Sequence, residues 1–307
     1  MSISTLHRLD KLVFPSSVVF NALTNLRLNG GIETMTEHPA GHVDPMFVAT
    51  TRQRPAMEFS TPELSVLLGA VGIGGASTGP ITAYLKKATT TGSVARATTG
   101  HKRVVINSAI VHWTQIRLPH QGKAEAQVVV TANYDGTNAP FVYTGSVALA
   151  GNLTASKYFG CGPVAINTVQ IPGVQEITIT SGIQLVQEGG ENEEWDTFTG
   201  IETTAPTVTI QTKEAINWST VGLKGTALDG TDGLQFYARA FKNLASRYAD
   251  ADTEHIYGEA ILGRVIPMDT NGESNSPITD TCKFELVASS DSVRPLVFTT
   301  GVAIAAF

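Results

Sequence analysis

Charge is scarce in this chain: Lys, Arg, Asp and Glu make up 16% of its 307 residues, against roughly 25% in ordinary soluble domains. The balance is slightly acidic, at net −6, so the basic footprint of a protein that grips nucleic-acid phosphates is missing. DNA could still pass such a surface without sticking. Cysteine is nearly absent. Cys161 and Cys282 have no CxxC and no Cys/His ligand spacing around them, which predicts buried free thiols in a reducing compartment. No apolar run reaches the roughly 18 residues of a membrane helix. Arg8, Asp10 and Lys11 interrupt the stretch from Met1 to Pro15, leaving no signal-peptide core. The expectation is synthesis in the cytoplasm, with no membrane partner.

Recognisable chemistry is missing too. There is no GxSxG, Walker loop or HExxH, and the cluster Gly69 to Gly75 lacks the lysine a phosphate cradle needs. Of seven histidines only His38 and His42 are close, in a Gly/Pro stretch that fixes no ligand geometry. Trp113, Trp195 and Trp218 are too few for the aromatic platform of a carbohydrate-binding module. No catalytic residue, cofactor or metal site is therefore expected.

What the chain does have is Thr, Ala, Val and Gly, the composition of a β protein with many turns, and a pattern that occurs twice. Phe47, Pro55, Met57, Phe59, Thr61 and Glu63 are matched by Phe198, Pro206, Val208, Ile210, Thr212 and Glu214, all 151 residues later. Pro140, Val142, Tyr143, Thr144 and Val147 are matched by Pro295, Val297, Phe298, Thr299 and Val302, 155 later. Between these anchors Tyr84 faces Tyr237, Ala109-Ile110 faces Ala260-Ile261, and Ala132 with Asp135 faces Ala288 with Asp291. Phe14-Pro15 is set against Ile171-Pro172. The boundary falls near Gly151, giving domains 1–151 and 152–307.

Each half reads as about seven strands and one short helix, a mainly β sandwich or barrel. Glu176 to Val186 alternates polar and apolar side chains, as a half-buried strand does; its counterpart is Val18 to Leu28. Polar stretches follow, Gln187 to Asp196 and Asn29 to Asp44. After the strand Pro206 to Thr212, Thr212 is placed as a helix start burying Ile216 and Trp218, and Thr61, with Pro62 at the first helical position, starts the equivalent helix through Leu64, Leu67 and Leu68. Further strands are expected over Ile81 to Lys86, Arg103 to Ile116 and Ala124 to Asn133, and over Leu234 to Lys242, His255 to Ile266 and Thr281 to Ser289. The segment from Gly233 also tolerates a helix, and strand is preferred because its partner at Ile81 is short.

The acidic loop Glu188, Glu191, Glu193, Glu194 and Asp196 is the candidate functional segment, read as a solvated hairpin facing a neighbouring subunit or a lumen. The run from Ile177 through Trp195, Pro206, Thr212, Gly225 and Phe236 resembles the tail-tube fold of long-tailed bacteriophages. That resemblance implies stacked homo-oligomeric rings that close an inner β-barrel around passing DNA without binding it specifically. It also implies contact with other tail proteins and a place in the virion tail. With two domains per chain, a ring would be a homotrimer of pseudo-sixfold symmetry. A baseplate hub, a double jelly-roll capsid protein and, from other classes, a carbohydrate-binding module or a β-sandwich hydrolase are the competing readings.

Overall fold

The computed structural model describes residues 6–89, 92–151, 157–190, 194–213, 228, 233–243, 246–271 and 279–305. It is mainly β, 61% strand and 4% helical, and every ladder among the described strands is antiparallel. The cause is visible in strands such as Glu125–Asn133, where Ala126, Val128, Val130 and Ala132 point inward at every second residue. Val and Thr suit that pleated, half-buried surface.

A nine-stranded sheet forms the centre of the molecule. Its order is Leu262–Asn271, Thr279–Val287, Thr207–Thr212, Val174–Thr180, Ser108–Pro119, Glu125–Asn133, Ala56–Thr61 and Thr24–Asn29, with Gly74–Ala76 attached to Ser108–Pro119. Two six-stranded sheets accompany it. One runs Val142–Val147, His101–Ile106, Ile81–Thr89, Leu6–Val13, Val19–Phe20, with Gly92–Ser93 attached to Ile81–Thr89, and the other Val297–Val302, His255–Ala260, Leu234–Asn243, Tyr158–Ile166, Val169–Gln170, with Ser246–Arg247 attached to Leu234–Asn243. One buried cluster links the sheets. Phe14 and Phe20 meet Phe59 edge-on at ring distances of 6.5 and 6.0 Å, and Trp113 meets Phe298 at 6.1 Å.

The two smaller sheets have the same strand order, and the pairings agree residue by residue. Ser108 pairs with Asn133, and 154 positions later Leu262 pairs with Val287. Trp113 pairs with Val128 and Pro267 with Cys282; both ladders then slip, resuming at Gln115 with Gln127 and at Asp269 with Thr281. A bulge is a built feature of a strand, and here it recurs at one place in each half.

Several sequence expectations shift against these ladders. The partner of Ala109 is Ala132 and that of Gly263 is Leu286, so Gly263, and not Ala260, stands where Ala109 stands, and Leu286, not Ala288, stands where Ala132 does. Matching small residues by identity slipped the alignment across the loops. Val13 pairs with Thr82 as Ala165 pairs with Gln235, which sets Phe14 against Ile166 and not Ile171. The strand Tyr158–Ile166 was not anticipated. Thr24–Asn29, not Val18 to Leu28, is the counterpart of Val174–Thr180.

Arg103 to Ile116 and His255 to Ile266 are each broken, at Asn107 and Ile261, because the chain crosses there from an outer sheet to the central one and drops its ladder at the corner. Such breaks and the two hairpins raise the count, among the described residues, to thirteen strands before Gly151 and twelve after it. Leu234–Asn243 is a strand. The first helix spans Leu64–Val71 and begins after Thr61: the Thr61 hydroxyl donates to the Ala22 carbonyl at 2.9 Å and accepts the Glu63 N–H at 3.2 Å, tying down the turn before the helix. The helix expected around Ile216 and Trp218 lies outside the described residues.

Candidate functional site

The central sheet ends in two edge strands. Among the described residues, Thr24–Asn29 pairs only with Ala56–Thr61, and Leu262–Asn271 forms a ladder only with Thr279–Val287, its outer side receiving the Leu228 N–H on the Gly263 carbonyl at 3.0 Å near one end. In the middle of the sheet, the strands in the corresponding places join each other. Ser108–Pro119 pairs with Val174–Thr180 through Gln115 with Thr180, Ile116 with Ile179, Arg117 with Thr178, Leu118 with Ile177 and Pro119 with Glu176. The Arg117 guanidinium donates two hydrogen bonds to the Glu176 carboxylate, at 2.7 and 2.6 Å. That fork holds the Glu176 carboxyl below its ordinary range and raises Arg117. Ile177 and Ile179 are fully buried at this seam, whereas Leu26 and Leu28 at the open edge are half-buried.

Two hairpins leave the sheet. Gln184–Glu188 with Phe198–Thr203 forms one, Ile32–Glu37 with Phe47–Gln53 the other. Their bases are built alike. Gly31 and Gly182 have φ of +55° and +59°, and a Cβ there would lie 2.0 Å from the Arg54 carbonyl oxygen and 2.1 Å from that of Ala205. Arg54 N–H donates to Gly31 O and Ala205 N–H to Gly182 O. Only glycine tolerates that conformation and that approach. The break at Gly182 is why Glu176 to Val186 is two strands.

The hairpins differ in chemistry. The first carries exposed apolar side chains, Ile32 at 60%, Val43 at 92%, Met46 at 65%, Phe47 at 50% and Val48 at 62% exposure. The second is tied to the first. Asp196, 1% exposed in its side chain, accepts from Arg52 Nε at 2.6 Å and Arg54 Nε at 3.2 Å. Gln53 N–H donates to Glu194 O at 2.7 Å, Tyr134 N–H to Asp196 O at 3.0 Å, and Trp195 Nε1 to Gln53 Oε1 at 3.2 Å. Asp196 is thus a buried ion-pair latch within the chain, not part of a solvated acidic tip. Burying a carboxylate is expensive, and two guanidinium partners offset the cost. Glu188 and Glu194 are exposed; Glu191 and Glu193 lie outside the described residues.

A matched pair of histidines escaped the sequence reading. His101 and His255 are fully buried. Nδ1 of His101 accepts the Lys87 N–H at 2.9 Å and its Nε2 meets Ala95 O at 3.0 Å; Nδ1 of His255 accepts the Ala240 N–H at 3.0 Å and its Nε2 meets Ala249 O at 2.9 Å. Each ring clamps the loop before it. The signal was available: the two lie 154 residues apart, the spacing of the ladders around them.

Among the described residues, no group of three His, Cys, Asp or Glu side chains is arranged to hold a metal ion. His38 sits at the tip of the first hairpin with Nδ1 on the Val43 carbonyl. A cavity of about 270 Å³ between Phe14, Val18, Val71 and Val111 is lined by no titratable side chain. Burial pushes the Cys161 and Cys282 thiols up to about 12, far from a reactive thiolate. No helix among the described residues is long and apolar enough to cross a membrane. A scan against protein-family models and a search of curated proteins return no match for this chain.

Proposed function

We propose that this chain is a structural virion protein, a phage tail-tube subunit whose two halves are copies of one domain. The carrying observation is the central sheet. Its half-to-half seam is made by strands whose counterparts at the two ends of the sheet have, among the described residues, no further strand on their outer side. A sheet that repeats this seam with further copies either closes or grows without limit. Closure with three chains gives six domains around a channel, with the central sheets as its wall and DNA passing through without specific contacts. The exposed apolar first hairpin supplies a surface for stacking one ring on the next, and other tail proteins would cap the stack.

A double jelly-roll would keep separate sheets in each half, whereas one nine-stranded sheet runs through both here. Negative-stain microscopy of the purified chain tests the reading. Stacked rings or tubes with a channel support it, and a persistent monomer rejects it. Mass photometry of single rings decides the stoichiometry: three chains are expected, and six would reject the trimer.

A further inference from the structure

We infer that a second copy of this chain pairs with the open edge Thr24–Asn29 in one defined register, placing Asn271 opposite Arg27, Thr270 opposite Leu28 and Asp269 opposite Asn29. The inference rests on the tube reading in taking the partner to be another copy. Its register comes from the internal seam.

The ladders set the correspondence. On one edge strand, residues 154 apart hold equivalent places, since Arg117 pairs with Glu125 as Asn271 pairs with Thr279. On the other, the spacing is 151, since Arg27 pairs with Glu58 as Thr178 pairs with Thr209, and Leu28 with Met57 as Ile179 with Val208. Carrying the internal pairs Arg117 with Thr178, Ile116 with Ile179 and Gln115 with Thr180 onto these places yields the three pairs. The half-buried Leu28, in the place of the fully buried Ile179, is the side chain such a neighbour would cover. A one-residue slip would turn Thr270 to the face opposite Leu28, so the pleat excludes odd slips and the internal seam sets the register among the rest. An unpaired strand edge also invites a strand of this kind.

The two seams differ in charge. Asn271 stands where Arg117 stands, and Thr24, opposite Ser60 as Glu176 is opposite Gln211, stands where Glu176 stands. The fork between Arg117 and Glu176 is therefore not repeated between copies.

Paired cysteines read the register directly, because facing residues on antiparallel strands lie roughly 4.5–5.5 Å apart at Cα, within disulfide reach. The native thiols, buried and pushed up to about 12, do not compete. The full chain would carry Arg27→Cys with Asn271→Cys, or, on the other face, Leu28→Cys with Thr270→Cys. The control is Asn29→Cys with Asn271→Cys, a two-residue slip on the same face. The expected result is a covalent trimer from either predicted pair under oxidation, reverting to single chains on reduction, with little from the control. Dominant linkage through the control overturns the register. Rings that form without linkage at either predicted pair reject the register and keep the tube. Linked chains that never form rings keep the register and reject the tube, and neither rings nor linkage rejects both.

Discussion

The two hairpins share a foundation and an exposed phenylalanine, Phe47 at 50% and Phe198 at 57% exposure, and differ in most of what lies above the base. Gly31 and Gly182 make the same left-handed turn against the same kind of carbonyl, and Phe47 and Phe198 open the returning strands in both. Beyond that base the first hairpin presents Ile32, Val43, Met46, Phe47 and Val48 to solvent, while the second is held down through Asp196, Glu194 and Trp195. Backbone geometry is repeated because few residues satisfy it. Side-chain chemistry at a tip is unconstrained by the fold and is free to diverge toward contacts.

The sharpest way to break this comparison is at the shared base. Gly31→Ala and Gly182→Ala should each cost about 3 kcal/mol, from strain at positive φ and the carbonyl clash. Chemical denaturation of the two variants should give similar losses, and one tolerated substitution would end the equivalence. Asp196→Ala should come next, at about 2 kcal/mol, because it leaves Arg52 and Arg54 without their carboxylate partner, discounted for the solvent both guanidinium groups reach. Hydrogen exchange should then speed up at the Gln53 and Tyr134 amides. His101→Ala and His255→Ala should each cost about 1–2 kcal/mol by orphaning a buried amide and a carbonyl, with faster exchange at Lys87 or at Ala240 respectively.

Smaller effects sharpen the contrast. The Glu176 carboxyl is depressed, so its ion pair with Arg117 contributes at neutral pH and is lost as pH falls through that lowered value. The contribution is below about 1 kcal/mol for a pair this exposed, and Glu176→Gln should remove that part of the acid sensitivity. Smallest for the fold itself are Phe47→Ser and Val48→Ser, which should change stability by no more than about 0.5 kcal/mol. If the first hairpin stacks rings, the same variants should leave single rings and shorten tubes in micrographs; unchanged tube length would remove the hairpin from the stacking contact.

Much of the strand content was legible, because Val208 and Ile210 or Val128 and Val130 alternate with polar neighbours and the period of two is local. The matched spacings of 151 and 155 were legible at Pro and aromatic anchors, and corresponding ladder pairs lie around them. Between those anchors the match slipped, since Ala109 and Gly263 share a place in the ladder and not a residue type. The acidic stretch ending at Asp196 was legible as charge but not as environment. Nothing near Asp196 in sequence reveals Arg52 and Arg54, which reach it from 144 and 142 residues away.

By itself, the sequence determined that this is a mainly β chain with a doubled pattern and no recognisable catalytic motif, because composition, periodicity and spacing are properties of neighbours along the chain. Only the tertiary structure decided that eight main strands join into one sheet whose two end strands have no outer strand partner among the described residues, that Asp196 is a latch, and that His101 and His255 are clamps. Each depends on which distant backbone edge or guanidinium arrives beside a residue, and that is set by long-range pairing and burial.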